Sequence, residues 1–325
     1  MAPLEMIAFG GMEDGSISSR WPAEALRAAG RPVRYIGRGE YEQAPYSKII
    51  VSGVRTPEQV ARFRRFFPEV WILECDDVLG LPLPLIFALA QAGRWSDQTE
   101  DEHRAAYAAA DGVIVTTDVI AERIAPYAKE IRVARQYLPA WLTKIEPDPP
   151  TQGPPIISWY GYPNVHGIDL EWIAPELRKL IADTDARFHT VGDEDTPRLL
   201  GLDLERCEAV GPSPPGALYW HLARTSIGIV PLADHPFNDA KSPTKGSEFA
   251  ALGVPFVAAD RQPYRDMAER MPIRLAATPK DMCAQVRELI EDPELRARES
   301  EALRVAARSM TLEANIGEWE RAVLS

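Results

Sequence analysis

Residues 227–258 read IGIVPLADHPFNDAKSPTKGSEFAALGVPFVA, and the alternation inside that stretch decides the fold. Ile227–Pro231 is a short apolar run with β-branched side chains, the loop after it is polar and broken by Pro236, and Pro243–Leu252 carries helical spacing. Pro255–Ala258 is strand-like again. Strand, helix and strand in that order connect neighbouring parallel strands by a right-handed crossover, so the sheet is parallel and its helices cover it. Ser242 is a capping residue type and Pro243 suits a first helical turn, which starts the helix there with its free amides turned toward the polar loop.

The same alternation extends in both directions. Upstream lie strand Ile156–Trp159, helix Leu170–Asp183, strand Arg187–Val191, a short strand near Ala209 and helix Gly216–Arg224; downstream lie strand Ile273–Leu275 and helical segments from Pro279. A first series has strands at Leu4–Phe9, Val33–Ile36, Ile49–Ser52, Val70–Glu74, Gly112–Thr116 and Ile131–Ala134. Its helical patterns fall at Arg20–Ala29, Pro57–Phe67, Leu83–Ala92, Asp97–Ala110 and Val119–Pro126. Residues 141–155 hold Pro147, Pro149, Pro150, Pro154 and Pro155, which suits neither ladder nor helix interior. The expected organisation is α/β: a Rossmann-like lobe over 1–140, a linker over 141–155 and a second lobe over 156–310, facing each other across a cleft. The final helical segment, within 311–325, is expected to cross back to the first lobe.

A chain of 325 residues with 46% hydrophobic and 26% charged residues has the composition of a folded globular protein. No apolar run approaches the roughly 20 residues of a spanning helix, since Leu81–Ala90 is broken by Pro82 and Pro84. The first residues lack a signal-peptide pattern, and Cys75, Cys207 and Cys283 are an odd, widely spaced set, so a reducing cytoplasm is expected. The net charge of −12 disfavours nucleic acid as a general partner. Residues 20–66, with ten Arg/Lys against four Glu, leave room for an anionic ligand on the first lobe.

Residues just after parallel strands carry most of the functional expectation, because ligands bind beyond the strands' carboxyl ends. The amides of Thr244 and Lys245, the helix dipole and the ammonium groups of Lys241 and Lys245 suit a diphosphate. Glu248, one turn on, is an acceptor-only carboxylate fit for a ribose diol. The same residues equally describe a helix start flanked by solvated lysines. In the first lobe, Gly10 and Gly11, with Gly15 nearby, permit a loop whose backbone approaches a ligand. Glu74-Cys75-Asp76-Asp77 ends a strand, and Asp76 or Asp77 is a candidate proton acceptor against the plainer role of capping a turn. His166 and His235 fall in loops entering the cleft, whereas His103 and His221 lie in helices and His189 in a strand, where core or surface roles are commoner. No Ser/His/Asp order and no metal-ligand spacing emerges, so no metal is expected.

Glu248-Phe249-Ala250-Ala251-Leu252-Gly253-Val254-Pro255-Phe256-Val257-Ala258 resembles the donor-binding helix and following strand of GT-B glycosyltransferases of the family 4-like group (glycosyltransferase group 1). Their pattern is Glu-Ala-x-Ala-x-Gly-x-Pro-Val-Val-Ala, matched at Glu248, Ala251, Gly253, Pro255, Val257 and Ala258. Ala110–Thr117, Ser158–Gly161, Val191–Asp193 and Leu222–Leu232 are similar to other stretches of the family. The resemblance implies a hexosyltransferase that moves a sugar from a nucleoside-diphosphate sugar, UDP- or GDP-linked with UDP favoured, to a hydroxyl acceptor without a metal, bound cofactor or obligate protein partner. That acceptor is a small molecule, a glycan or a hydroxylated base in DNA. It implies Glu248 on the donor ribose, Lys241, Ser242, Thr244 and Lys245 around its pyrophosphate, and Gly11, Gly161, His166 and Gly211 along the donor. Two positions depart from the family: the first Glu of its Glu-x7-Glu signature falls on Ala240, and the loop Tyr162–Gly167 lacks the usual basic residue, leaving Lys241 and Lys245 as substitutes. A nucleotide-sugar epimerase or hydrolase, or a catalytically silent nucleotide-sugar-binding protein, fits the same fold and pocket.

Overall fold

A computed structural model describes residues 6–11, 17–37, 46–150 and 152–325. The first series of strands is β1 (Met6–Gly11), β2 (Val33–Tyr35), β3 (Tyr46–Ser52), β4 (Glu69–Glu74), β5 (Gly112–Val115) and β6 (Ile131–Val133), in the order β2-β1-β3-β4-β5-β6. The second is β7 (Ile156–Tyr160), β8 (Arg187–Val191), β9 (Cys207–Val210), β10 (Ile227–Val230), β11 (Phe256–Ala259) and β12 (Arg274–Ala276), in the order β12-β11-β10-β7-β8-β9. Every strand pairing among the described residues is parallel. Helices cover both faces, which is why β5, β10 and β11 are buried at every residue and read as apolar runs. The two lobes are Rossmann-like, and their strand orders reverse between β1 and β3 and between β7 and β10. Those two switch points are where a parallel sheet opens a crevice for a ligand.

Proline-rich composition and helix content are reconciled at helix starts. Pro57, Pro163, Pro215, Pro236, Pro279 and Pro293 each occupy a first turn, where the missing N–H would have had no partner. Thr56 and Gln59 add a reciprocal capping box, and Thr278 and Asp292 cap through their side-chain oxygens.

The structure departs from the sequence expectation at several boundaries. β1 runs through Gly10 and Gly11, with Gly11 opposite Ser52, so these glycines end a strand instead of forming a loop; Gly15 lies outside the described residues. The helix expected from Leu170 begins at Pro163, with non-helical dihedrals at His166 marking a kink. Short helices at Thr196–Leu200, Pro236–Asp239 and Gln262–Ala268 were not expected, and the proline-rich linker holds a 3-10 turn at Ala140–Lys144.

The C-terminal helix Ile316–Leu324 packs on the first sheet. Trp319, fully buried, sits with Phe9 at a centroid distance of 6.4 Å, and its Nε1 donates to the carbonyl of Arg135 at 3.0 Å. The second lobe also reaches the first at a different place. Ala240 is buried within the first lobe's apolar cluster beside Val115 and Ile120, and its carbonyl accepts from Thr117 Oγ1 at 3.0 Å. Ser242 Oγ donates to Thr116 Oγ1 at 3.1 Å, and Thr244 Oγ1 to Gln136 Oε1 at 3.1 Å. Among the described residues no helix is long and apolar enough to cross a membrane.

Candidate functional site

At the second lobe's switch point, β7 ends in Tyr160-Gly161 and β10 in Val230, and the side chains between them form a connected polar cluster. Gly161 has φ +140°, and a Cβ there would stand 3.3 Å from Lys245 Nζ and 3.2 Å from the His166 ring. Its neighbour Gly192, φ +122°, lies so close that a Cβ would meet the Gly161 carbonyl at 2.3 Å. Only glycines let the ends of β7 and β8 approach the cluster this closely. Lys245 Nζ donates to His166 Nε2 at 3.3 Å, and His166 Nδ1 donates to Asp169 Oδ2 at 2.9 Å. Asp169, 1% exposed, accepts further from the Ala233 amide at 2.9 Å and Asn238 Nδ2 at 2.6 Å. The kink at His166 is what turns its ring toward Lys245 while keeping Asp169 on the helix's inner face.

The electrostatics follow from this burial. Burial, then the Lys245 charge, pushes His166 down to about 3, which keeps Nε2 free to accept. Burial and the Lys241 ammonium push Lys245 down to about 7. Burial also lowers Lys241, whose Nζ lies 4.6 Å from the Phe237 ring centroid. Among the described residues no carboxylate forms an ion pair with either lysine. Two half-buried lysines, with Asp169 and Asp76 near enough to be felt but not in contact, stand beside the first amides of the helix Thr244–Ala251, an arrangement suited to an anion.

Glu248 stands deeper than its proposed ribose contact requires. It is 6% exposed, it accepts from the hydroxyls of Tyr160 and Tyr219 (the latter at 3.0 Å), and burial pushes it up to about 8. A diol would have to take the place of a tyrosine hydroxyl. Ser242 does not cap the helix: Pro243 is the cap residue, and the Ser242 hydroxyl is drawn to Thr116 of the other lobe instead. Asp239 is held by both Arg261 nitrogens at 3.0 and 3.1 Å, so it does not stand in for the missing Glu at Ala240. His235 caps the helix Pro236–Asp239, its Nδ1 accepting from the Phe237 amide at 3.1 Å. Gly211 follows β9, two strands out from β7, against the Glu194 carboxylate, and is apart from the lysine cluster.

The first lobe contributes a cavity of about 780 Å³ beyond the ends of β3 and β4, bordered across the cleft by Asn164, Val165 and Phe237. Asp76 is exposed at its wall. Asp77 is not: it is 2% exposed and ion-paired with Arg123, and its side chain makes no capping hydrogen bond to the turn that follows. Glu74, which the sequence presents only as one acid of three, is the unusual group. Burial and the neighbouring Asp76 push it up to about 7, against a stabilising hydrogen bond from Tyr107 at 3.0 Å. Its environment depends on a tyrosine 33 residues away, which no local motif displays.

No family model and no curated protein sequence matches the chain. Solved structures do resemble it in fold. A sucrose-phosphate synthase from Thermosynechococcus elongatus aligns over 98% of this chain and 99% of its own with TM-score 0.68 and 14% identity. Anabaena Alr3699/HepE, solved in complex with UDP and glucose, aligns over 98% and 100% with TM-score 0.61 and 12% identity. The lipopolysaccharide outer core galactosyltransferase WaaB aligns over 98% and 99% with TM-score 0.58 and 13% identity. The fold is therefore GT-B, two Rossmann-like lobes facing a cleft.

Proposed function

We propose that the protein transfers a sugar from a nucleoside-diphosphate sugar to a hydroxyl acceptor. The observation that carries this reading is the pair of half-buried lysines, Lys241 and Lys245, at the second lobe's switch point beside a helix N-terminus, neither ion-paired with a carboxylate among the described residues. In the reaction the acceptor oxygen bonds the sugar's anomeric carbon while that carbon's bond to the diphosphate oxygen breaks. The departing diphosphate gains negative charge, which the two lysines and the Thr244 and Lys245 amides stabilise in place. Glu74 or Asp76 receives the acceptor's proton, and Glu74, poised at about 7, is suited to do so near neutral pH. UDP as the base-bearing half of the donor is supported by its presence in HepE. Free thiols at Cys75, Cys207 and Cys283 support a cytoplasmic setting.

For the acceptor, a small molecule or glycan end fits better than DNA. Of the basic stretch, Arg20, Arg31 and Arg64 already pair with Glu24, Glu320 and Asp111. A thermal-shift panel of UDP, GDP, ADP and TDP with their sugar conjugates, run in chelator, tests the donor half. A rise with one nucleotide family supports the reading; a cooperative melt that no nucleotide moves refutes it.

A further inference from the structure

A second polar cluster lies in the second lobe outside the cleft. His189 on β8 is in register with Glu208 on the edge strand β9, and the helix Pro215–Ala223, returning over that edge, lays His221 against them. One ring nitrogen of each histidine and a Glu208 oxygen all lie within 4.8 Å of one another. The two rings stand 5.4 Å apart between centroids. His189 Nε2 and His221 Nδ1 are buried and have no hydrogen-bond partner among the described residues. Two such orphaned ring nitrogens side by side are costly to bury unless something binds them. The opposite side of the His189 ring is fixed: Nδ1 lies 3.3 Å from Ser158 Oγ, which in turn accepts from Thr225 Oγ1 at 2.8 Å. A buried imidazole oriented through one nitrogen, with the other aimed at a second imidazole and a carboxylate, is the outer arrangement of a metal ligand.

We propose that His189 Nε2, His221 Nδ1 and the Glu208 carboxylate bind a divalent transition-metal ion of the zinc class, with water completing the coordination. Two imidazoles and one carboxylate select zinc-like ions over magnesium or calcium, which take oxygen ligands. Metal–ligand distances of about 2.0–2.2 Å set neighbouring ligand atoms about 3.4 Å apart in a tetrahedral site, so the cluster closes by up to about 1.4 Å. Glu208, whose side chain is 46% exposed on the edge strand, is free to supply that movement. Burial holds both imidazoles below their ordinary range, so they present lone pairs at neutral pH. The local competitor is Arg224, whose guanidinium stands 3.7 Å from Glu208 and rests over the Trp220 ring; it has to yield the carboxylate. The ion would pin the helix that also carries Tyr219, two residues before His221, whose hydroxyl reaches Glu248. The site is thus a brace for one wall of the donor pocket and takes no part in the transfer itself.

Zn²⁺ titrated into the chelator-stripped full chain, followed by calorimetry and by the melting temperature, tests this. One equivalent binds and raises the melt, Co²⁺ in its place gives the visible bands of a four-coordinate site, and Glu208→Gln and His221→Ala each weaken Zn²⁺ about tenfold or more. Lys245→Met keeps full affinity. A cooperatively melting wild-type chain that takes up no stoichiometric Zn²⁺ overturns the proposal, as does unchanged affinity in both ligand variants, which would locate the ion elsewhere.

Discussion

Lys245 gives the sharpest test of the donor site, through pH. Its ammonium is pushed down to about 7 by burial and by Lys241, so in the free protein it is half-charged at neutrality and almost neutral at pH 9. A bound diphosphate restores its charge, raising its pKa by two units or more, and binding then takes up a proton. Worked from a free value near 7 and a bound value of 10, affinity for UDP falls about fifty-fold between pH 7 and 9, roughly 2.3 kcal/mol. Calorimetry in two buffers of different ionisation enthalpy reads both the affinity and the proton uptake. Lys245→Arg keeps the charge at all these values, so its affinity stays level across the range; Lys245→Met also stays level but binds weakly throughout. A wild-type affinity that is constant from pH 7 to 9, with no proton taken up, refutes the assignment of Lys245 to the diphosphate.

Other perturbations separate structural from chemical roles. Glu248, raised to about 8 in the folded chain, contributes stability that is full below its unfolded value and lost as pH climbs through 8; Glu248→Gln flattens that decline, worth about 2–4 kcal/mol in urea melts at pH 6 and 9. Asp77→Asn strands Arg123 and costs about 2–3 kcal/mol of folding stability, whereas Asp76→Asn leaves the melt within about 0.5 kcal/mol, and Glu74→Gln lowers turnover about a hundredfold. Gly161→Ala, forced to φ +140° and against Lys245, destabilises by about 1–3 kcal/mol and weakens nucleotide binding in the same variant. Trp319→Ala opens the contact with Phe9 and costs about 3–5 kcal/mol, measurable by chemical denaturation.

The two parallel sheets were legible because buried strands and covering helices differ in period, and the twelve strands among the described residues each overlap a strand expected from the sequence. The placing of Lys241 and Lys245 was legible too, since they flank a helix start in the sequence itself. What the sequence hid was decided by partners far along the chain. Ser242 has the chemistry of a cap, but Thr116, 126 residues earlier, takes its hydroxyl. Glu248 reads as an open carboxylate until Tyr160 and Tyr219 close over it. The helix start at Pro163 was obscured by Gly167 and by the kink at His166, which local propensity reads as loop. His189 and His221 look unremarkable singly, and only the β8–β9 register and a returning helix bring them together.

Ala240 sits on the second lobe's chain but inside the first lobe's apolar cluster, with Thr117, Thr116 and Gln136 fastening the residues around it. Such a point acts as a fulcrum. Any rotation of one lobe against the other that keeps Ala240 buried turns about it, and displacement grows with distance from the axis. The lysine end of the cleft, one to five residues from the fulcrum, keeps nearly constant dimensions through the swing. The 780 Å³ cavity beyond β3 and β4 shares that point through Phe237, three residues before Ala240, and meets the second lobe again where the helix Leu83–Gln91 packs on Pro163–Asp183. In the proposed transfer the lysine end would therefore keep one grip on the diphosphate-bearing partner whatever the angle between the lobes.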